Sequence, residues 1–273
     1  MTATIRSEWT KLRTQRGTVF ALALTGVLMV GMSAFFATES ETRRPDDGVR
    51  ADATFGGDDD VVQLGLTGIA FAQLAVVVVG ASLITGEFGT GMIRTTLTAT
   101  QGRLRVLLAK TAILVAVTLP LGVLASAVAF LVTRPLLQDG GYVAPAYPPV
   151  SLTDGEAARA VVGTGLLLTA YALLALGIGT ILRHSGATIA AAIAIVFLPL
   201  LFLGLFPERM ATRLQQLTPL AGMAIQSTTD RMLSAFDGRE GMPIGPWQGL
   251  GVAFAWAVGA LALGYVALRA RDV

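Results

Sequence analysis

The sequence predicts an all-α membrane protein that forms a single domain over residues 1–273, and three observations support this class. Of these residues 53% are hydrophobic, the mean hydropathy is +0.67, and only 14% are charged, whereas soluble domains carry roughly 25% charged residues. Six uncharged apolar runs each reach about 20 residues, the length of a helix that crosses a bilayer core. The composition excludes a water-soluble globule and a disordered chain, and the lack of cysteine excludes a disulfide-stabilised scaffold.

We expect each of the six runs to be a transmembrane helix. A bilayer core offers no water to the backbone, so each segment must satisfy its own N–H and C=O groups. The runs also lack the alternation and the short length of barrel strands. Pro120 and Pro199 each remove an amide donor and are predicted to kink their helices. The predicted spans are Gly17–Ala37, Val61–Thr85, Thr111–Thr133, Ala160–Leu182, Ala187–Phe206 and Gln248–Leu268.

The chain begins with a basic segment ahead of the first span. Ile5, Trp9 and Leu12 recur at helical spacing within Thr4–Arg16, which predicts a short amphipathic helix in the headgroup layer. The alternative is a positive flank that only orients the first span. A cleaved signal peptide is disfavoured, because the apolar run exceeds the usual length of about 7–15 residues and no small-x-small cleavage site follows.

The distribution of basic residues predicts the orientation in the membrane. One group of loops holds 11 Lys and Arg in 50 positions, and the other loops hold 9 in 90 positions. Cytoplasmic loops are enriched in basic residues, so the first group and both termini are predicted to be cytoplasmic. Only 3 of 18 acidic residues lie on that side, and Asp58–Asp60 fall in an acidic outer loop. The cytoplasmic group comprises residues 1–16, 86–110, 183–186 and 269–273.

Two of the connections between spans contain apolar residues at helical spacing. In 86–110, Met92, Ile93, Thr96 and Leu97 can form one side of a short cytoplasmic helix that docks on a soluble partner; the alternative is a solvated loop whose arginines only fix the topology.

In 207–247, Pro207-Glu208 is a favourable helix start. Met210, Leu214 and Leu217 form an apolar stripe, and Pro219 ends this pattern. We expect two short interfacial or re-entrant outer helices before the sixth span, the second within Leu220–Phe236; an ordinary outer loop is the alternative.

The sequence offers no chemistry of its own. It lacks the G-x-x-x-x-G-K-[ST] phosphate-binding loop, and its single histidine, His184, has no partners for a triad or a zinc site and is expected to end a helix. No charged residue lies well inside a span, which disfavours proton-coupled carriers and charged channels. Two classes therefore remain: a transport subunit energised by a separate protein, and a structural or regulatory membrane protein.

The 86–110 segment resembles the cytoplasmic loop of ABC-2 type transporter permeases, especially short actinobacterial ones. That family shows Gly-Glu, a Gly-x-x-Arg-x-x-Leu stretch, basic residues and a Lys that opens the third span. Gln101 stands where the family often has Pro, and Glu8-Trp9-Thr10-Lys11-Leu12-Arg13 is similar to its amino-terminal interfacial helix. The matching positions are Gly86, Glu87, Gly91, Arg94, Leu97, Arg103, Arg105 and Lys110.

The resemblance implies an exporter permease of the bacterial plasma membrane that is not itself an enzyme. It implies a separate P-loop ATPase that carries ATP and magnesium, a second permease copy that is identical or a close paralogue, and membrane lipid, with no nucleic acid. The cargo would be amphiphilic or apolar, such as a drug, antibiotic or lipid, and no substrate, catalytic or metal residue is assigned. The non-transport regulator or assembly protein and a gradient-driven secondary carrier remain alternatives.

The resemblance also implies roles for individual residues. Glu87 and Arg94 are the expected charged contacts to the ATPase. The implied coupling residues are Gly86, Glu87, Gly91, Met92, Ile93, Arg94 and Leu97, and the implied interfacial anchors are Trp9, Lys11, Arg13, Arg103, Arg105 and Lys110.

Overall fold

The computed structural model describes residues 2–42, 60–99, 102–143, 147, 149–202, 207–228 and 244–270. Within these ranges the fold is entirely helical, as the sequence predicts. Asp58, Asp59 and Gln101 lie outside them, as do residues 203–206 and 229–243. The helices are α1 (Thr2–Thr14), α2 (Arg16–Thr42), α3 (Val61–Gly65), α4 (Ile69–Gly89), α5 (Met92–Ala99), α6 (Arg103–Asp139), α7 (Gly155–Leu182), α8 (Ser185–Phe202), α9 (Glu208–Leu217), the 3₁₀ helix Pro219–Gln226, and α10 (Pro246–Ala270).

Five of these helices are long and apolar enough to cross a membrane: α2, α4, α6, α7 and α10. The fifth predicted span, Ala187–Phe206, falls on α8, whose described apolar part, Ser185–Pro199, is shorter than the others. Helix α6 extends past both ends of the predicted span and stays helical through Pro120 and Pro135. A multi-pass helical membrane protein is therefore established.

Helix α7 lies at the centre of the bundle. Of its most apolar stretch 89% is buried, against 22% for α2 and α10, and it packs against α4, α6, α10 and the 3₁₀ helix. The outer faces are apolar: Phe20, Leu124, Val258 and Leu263 are each more than 60% exposed. Such a surface suits lipid, because a soluble monomer rarely exposes large contiguous apolar patches.

Glycines set the distance between α7 and its neighbours. A Cβ at Gly80 on α4 would overlap the carbonyl oxygen of Ala172, and a Cβ at Gly122 on α6 would lie 2.8 Å from the Cα of Gly165. A Cβ at Gly177 would lie 2.5 Å from the carbonyl carbon of Ala260 on α10. Small residues let helix backbones approach closely in membranes, so Gly165 and Gly177 allow α7 to pack directly against α6 and α10.

The second predicted span, Val61–Thr85, is not one continuous helix. The Thr67 hydroxyl donates to the Leu64 carbonyl at 2.5 Å, and the Gly68 N–H, which would bind that carbonyl in an α-helix, donates to the Ser33 hydroxyl of α2 at 2.9 Å. A Cβ at position 68 would overlap the Met29 carbonyl. The run therefore divides into α3 and α4 where α2 approaches closely, a tertiary effect that the uninterrupted apolar pattern did not reveal.

The segment before the last span contains two short helices, α9 and the 3₁₀ helix. Helix α9 begins after Pro207, and its apolar Met210 and Leu217 are 56% and 68% exposed. The 3₁₀ helix packs deep in the bundle, where the Tyr171 hydroxyl donates to the Pro219 carbonyl at 3.2 Å. The Trp256 indole of α10 donates to the Leu217 carbonyl at 2.8 Å. The 3₁₀ helix is thus buried between α7 and α10, whereas α9 keeps an exposed apolar face.

Asp60 fixes the far end of this segment. Its carboxylate accepts the N–H groups of Val62 and Gln63, capping α3, and also accepts the N–H and hydroxyl of Thr228. Arg159 of α7 donates to the Ser227 carbonyl at 2.6 Å. The Asp60 carboxylate therefore joins Thr228 to the start of α3.

The ends of the bundle can be distinguished by their contacts. Helices α7 and α10 run parallel, because Gly177 meets Ala260 and Gly264 meets Thr180. The Arg103 guanidinium at the start of α6 donates to the Leu268 and Arg269 carbonyls at the end of α10. We call the end that holds α1, the α4–α5 turn and the last turn of α10 the basic end, and the end that holds α3 and Asp60 the opposite end.

Candidate functional site

Four charged residues meet at the basic end of the bundle. Glu8 and Lys11 lie three positions apart and therefore on one face of α1. Glu87 lies in the last turn of α4, and Lys110 lies two turns into α6. Three helices that are distant in sequence thus contribute to one cluster.

The cluster is a closed ring of alternating charge. Lys11 Nζ lies 2.7 Å from Glu8 Oε1 and 2.8 Å from Glu87 Oε1. Lys110 Nζ lies 2.6 Å from Glu8 Oε2 and 2.7 Å from Glu87 Oε1. We call Glu8, Lys11, Glu87 and Lys110 the ion-pair ring. Each residue binds two residues of opposite sign, so the ring is neutral as a unit.

The ring is largely removed from solvent. Lys110 is fully buried and Glu8 is 1% exposed, and the Lys11 side chain is 28% exposed. The Lys110 ammonium also donates to the Leu83 carbonyl at 3.1 Å, so all three of its protons have acceptors. Removing one member of such a buried set leaves an uncompensated charge, which costs about 3–5 kcal/mol. The ring therefore fixes α1 against α4 and α6.

The charges shift the protonation equilibria of the two α1 residues. Burial alone would raise the pKa of the Glu8 carboxyl, but the Lys110 charge, hydrogen bonds from both lysines and the Lys11 charge together hold this pKa below its ordinary 4.5. Burial alone would lower the pKa of Lys11, but its hydrogen bonds to Glu8 and Glu87 and their charges raise it above the ordinary 10.5. Both groups are thus charged throughout the physiological range.

The ring continues into α5. Lys11 Nζ also donates to the Thr96 hydroxyl at 3.3 Å, and Ile93 of α5 is 4% exposed while Met92 is 44% exposed. The turn between α4 and α5 passes through Gly91 at a φ of +72°, a left-handed conformation that favours glycine. Helix α5 therefore rests on the ring with Met92 facing outward.

A cleft of about 250 Å³ opens beside the ring. Glu87 Oε1 accepts both ammonium groups, whereas Glu87 Oε2 is buried and has no hydrogen-bond partner among the described residues. A buried carboxylate oxygen without a donor is unfavourable. The lining includes Thr14, Gln15, Ser82, Gly86, Thr90 and Met92 besides the ring. The cleft can accept one further hydrogen-bond donor at Glu87 Oε2.

The structure brings together some of the residues that the sequence selected and separates others. Glu87, Lys11 and Lys110 meet in the ring, and Gly86 and Met92 line the cleft beside it. Gly91 lies in the turn before α5, and Ile93 is buried on α5. The backbones of Arg94 and Leu97 lie on α5, and their side chains are outside the described part. Arg103 binds the end of α10, while Trp9, Arg13 and Arg105 are exposed. The contacts of Lys110 are all with the protein, so this ammonium faces Glu8 and Glu87 where the resemblance implied lipid headgroups.

Glu8 is the residue that the sequence reasoning did not select. Glu8 is part of the amino-terminal segment that resembles the family, but the resemblance implies roles only for the basic and aromatic residues of that segment. A signal was present: Lys11 and Lys110 are the only lysines beside 18 arginines. A lysine ammonium donates three hydrogen bonds around a single nitrogen, which suits a junction of two carboxylates better than the planar guanidinium does.

Within the described ranges, no group of three or more His, Asp or Glu is arranged to hold a metal ion. His184 ends the α7–α8 turn, where its Nδ1 accepts the Ala187 N–H at 3.2 Å.

The fold and the site define a class: a multi-pass helical membrane protein with an apolar surface and an ion-pair ring at one end of its bundle. A model of the ABC-2 family transporter proteins matches residues 4–273, and the chain belongs to this family. As a member it is a membrane component of a transporter. Neither a curated protein nor a solved structure matches the chain.

Proposed function

We propose that the chain is the membrane-spanning permease subunit of an ABC exporter that is driven by a separate P-loop ATPase. ATP and magnesium would bind to that ATPase and not to this chain. The observation that carries the proposal is the contact of α5 with the ion-pair ring, because it links an exposed helix to three elements of the bundle. Family membership favours this function over a regulator or an assembly protein.

We propose six membrane crossings with both termini in the cytoplasm. Helices α7 and α10 run parallel, so the chain must return to the opposite end between them. Helix α8 starts at the basic end, and Ser227 and Thr228 lie beside Arg159 and Asp60 at the opposite end. The passage from α8 to the 3₁₀ helix supplies this return. The positive-inside rule then places the basic end in the cytoplasm of a bacterial plasma membrane.

In the proposed mechanism α5 is the coupling helix. A force that the ATPase applies to α5 would reach Lys11 through Thr96, and from there Glu8, Glu87 and Lys110. Because these groups lie on α1, α4 and α6, the helices would shift as one unit rather than slide past each other. A rigid, buried junction is suited to this task, since packed elements move between discrete arrangements.

The cleft offers a specific contact for the ATPase. Glu87 Oε2 is a buried acceptor without a donor, and the exposed Met92 lies at the rim. A donor group of the ATPase that enters the cleft would satisfy this oxygen, while apolar groups would cover Met92. Charge-assisted hydrogen bonds are about twice as strong as neutral ones. This contact would therefore raise the affinity for the ATPase and fix the position at which the ATPase docks.

We propose a second permease copy, identical or closely related, as the partner within the membrane. The low burial of α2 and α10 leaves wide apolar faces for a copy and for lipid. A path between two such surfaces would suit an amphiphilic or apolar cargo. Cargo contacts are not assigned to particular residues.

Affinity purification from native membranes tests the proposed partner. We expect the tagged wild-type chain to retain a P-loop ATPase, identified by mass spectrometry. Met92→Asp places a charge on the apolar contact, and Arg94→Glu reverses the expected charged contact, so each should reduce the retained ATPase at least tenfold.

The matched control is Arg269→Glu, which makes the same charge reversal at an exposed position on the basic end. This control should retain the ATPase at the wild-type level, and all variants should insert into the membrane equally. Undiminished ATPase recovery with Met92→Asp and Arg94→Glu would contradict docking on α5.

A further inference from the structure

A second cavity lies at the opposite end of the bundle, between α6 and the connection from α6 to α7. Its volume is about 180 Å³, well above the ~30 Å³ that one water occupies in the liquid. The Tyr142 and Tyr147 rings on one side have their centroids 5.0 Å apart. The apolar walls are formed by Val61, Phe130, Leu137, Val143, Pro149 and Val150.

Arg134 supplies a positive charge to this cavity. Its Nε is buried and lacks a hydrogen-bond partner, and no hydrogen bond or ion pair joins its guanidinium to any residue of the described ranges. The residue one turn further on, Gln138, is uncharged, and the carboxylates of Asp60 and Asp154 accept hydrogen bonds elsewhere. A partly buried cation without a counter-ion is unfavourable, so the cavity is suited to an anion.

The position of Arg134 along α6 identifies the source of that anion. Arg134 follows directly after the apolar stretch 111–133 and lies 24 residues beyond Lys110, which corresponds to about 36 Å along a helix. The bilayer core is about 30 Å thick. If Lys110 marks one boundary of the core, Arg134 lies at the headgroup level of the other leaflet. Lipid phosphates occupy that level.

We propose that this cavity binds the phosphate of an anionic lipid. The Arg134 guanidinium donates to the phosphate oxygens, and the apolar and aromatic walls contact the glycerol and the first acyl methylenes. An anionic lipid is preferred to a zwitterionic one, because a choline cation would offset the attraction of the phosphate to the Arg134 guanidinium. This site lies at the opposite end of the bundle from the cleft beside Glu87.

Native mass spectrometry of the purified full chain tests the proposal. Titration with phosphatidylglycerol should show saturable binding to the wild type that is at least tenfold tighter than binding of phosphatidylcholine. Arg134→Gln should weaken phosphatidylglycerol binding at least tenfold, and Arg134→Lys should retain part of it. Val143→Trp, at an exposed position on the cavity rim, should block binding while it leaves the arginine in place.

Two further measurements complete the test. Arg269→Gln removes an exposed arginine from the basic end of the bundle and should leave lipid binding unchanged. Glycerol 1-phosphate, a soluble source of the same phosphate group, should bind far more weakly than the lipid because it lacks acyl chains. Equal phosphatidylglycerol binding by Arg134→Gln and wild type would overturn the proposal, as would glycerol 1-phosphate binding as tightly as the lipid; if Arg134→Gln does not fold, Val143→Trp decides alone.

Discussion

At the scale of single residues, the ion-pair ring turns four scattered charges into one structural unit. A charge count by segment assigns Lys11 and Lys110 to the topology signal, and the family resemblance assigns Glu87 to an external contact. It cannot show that α1 folds back so that Glu8 meets Lys110, 102 positions away. The residue types at the site could therefore be predicted from the sequence, but their mutual pairing could not, because it depends on the tertiary approach of three helices.

Lys110→Met should destabilise the protein by about 3–5 kcal/mol, because Glu8 and Glu87 would then share only Lys11 in a buried site. Arg105→Gln, which changes an exposed cation on the same helix, should stay within about 0.5 kcal/mol of wild type. Thermal unfolding in detergent measures both changes.

A full inversion of the ring separates charge pairing from side-chain identity. The fourfold variant Glu8→Lys, Lys11→Glu, Glu87→Lys and Lys110→Glu keeps all four attractive contacts. It should therefore recover most of the stability that Lys110→Glu alone loses. If the fourfold variant is no more stable than this single variant, the ring does not act through alternating charge.

The ring should also give stability a defined pH dependence. The pKa of Glu8 is below its ordinary 4.5 in the folded protein, so its contribution is present above about pH 5 and is lost as the pH falls through the folded value. The pKa of Lys11 is above 10.5, so its contribution is lost only as the pH rises beyond that value. The difference in melting temperature between wild type and Glu8→Gln should be constant from about pH 5 to pH 10 and shrink below pH 4.5. A difference that changes between pH 6 and pH 8 would contradict the assignment of this pH dependence to Glu8.

At the scale of elements, the hydrophobic pattern predicts that a helix exists better than it predicts where the helix begins and ends. The amphipathic stripes of α1 and α9 were correctly recognised, and both helices expose apolar residues, Trp9 and Leu217, while burying Glu8 and Gln215. The break between α3 and α4 was missed, because Thr67 and Gly68 are ordinary residues of an apolar run until Ser33 and Met29 come close. Local sequence does not contain that contact.

Gly80 and Gly31 provide a matched pair for testing helix packing. Gly80→Ala would place a methyl group against the Ala172 carbonyl and should destabilise the protein by about 1–3 kcal/mol, as overpacking does. Gly31→Ala in α2 meets nothing within 4 Å and should be neutral or stabilising by up to about 1 kcal/mol. The unfolding midpoint in detergent should therefore fall for Gly80→Ala, and it should stay the same or rise for Gly31→Ala. A Gly80→Ala protein as stable as wild type would show that α4 and α7 pack less closely.

At the scale of the whole molecule, the permease has a rigid core and a charged junction on its basic end. Helix α7 runs through the centre, the 3₁₀ helix is buried between α7 and α10, and the ring joins α1, α4 and α6 at the basic end. The family could be recognised from the Gly-Glu and Gly-x-x-Arg-x-x-Leu residues. The buried course of residues 219–226 required the structure, since Pro219 and Gln226 find their partners on α7.

The rate of ATP hydrolysis tests the central claim most directly. The permease purified alone in nanodiscs should hydrolyse no ATP. Addition of its co-purifying P-loop ATPase should give a hydrolysis rate that exceeds that of the ATPase alone. Met92→Asp should abolish this stimulation, whereas Arg269→Glu should preserve it. Hydrolysis by the isolated permease, or an ATPase rate that is the same with no permease, with wild type and with Met92→Asp, would contradict the account.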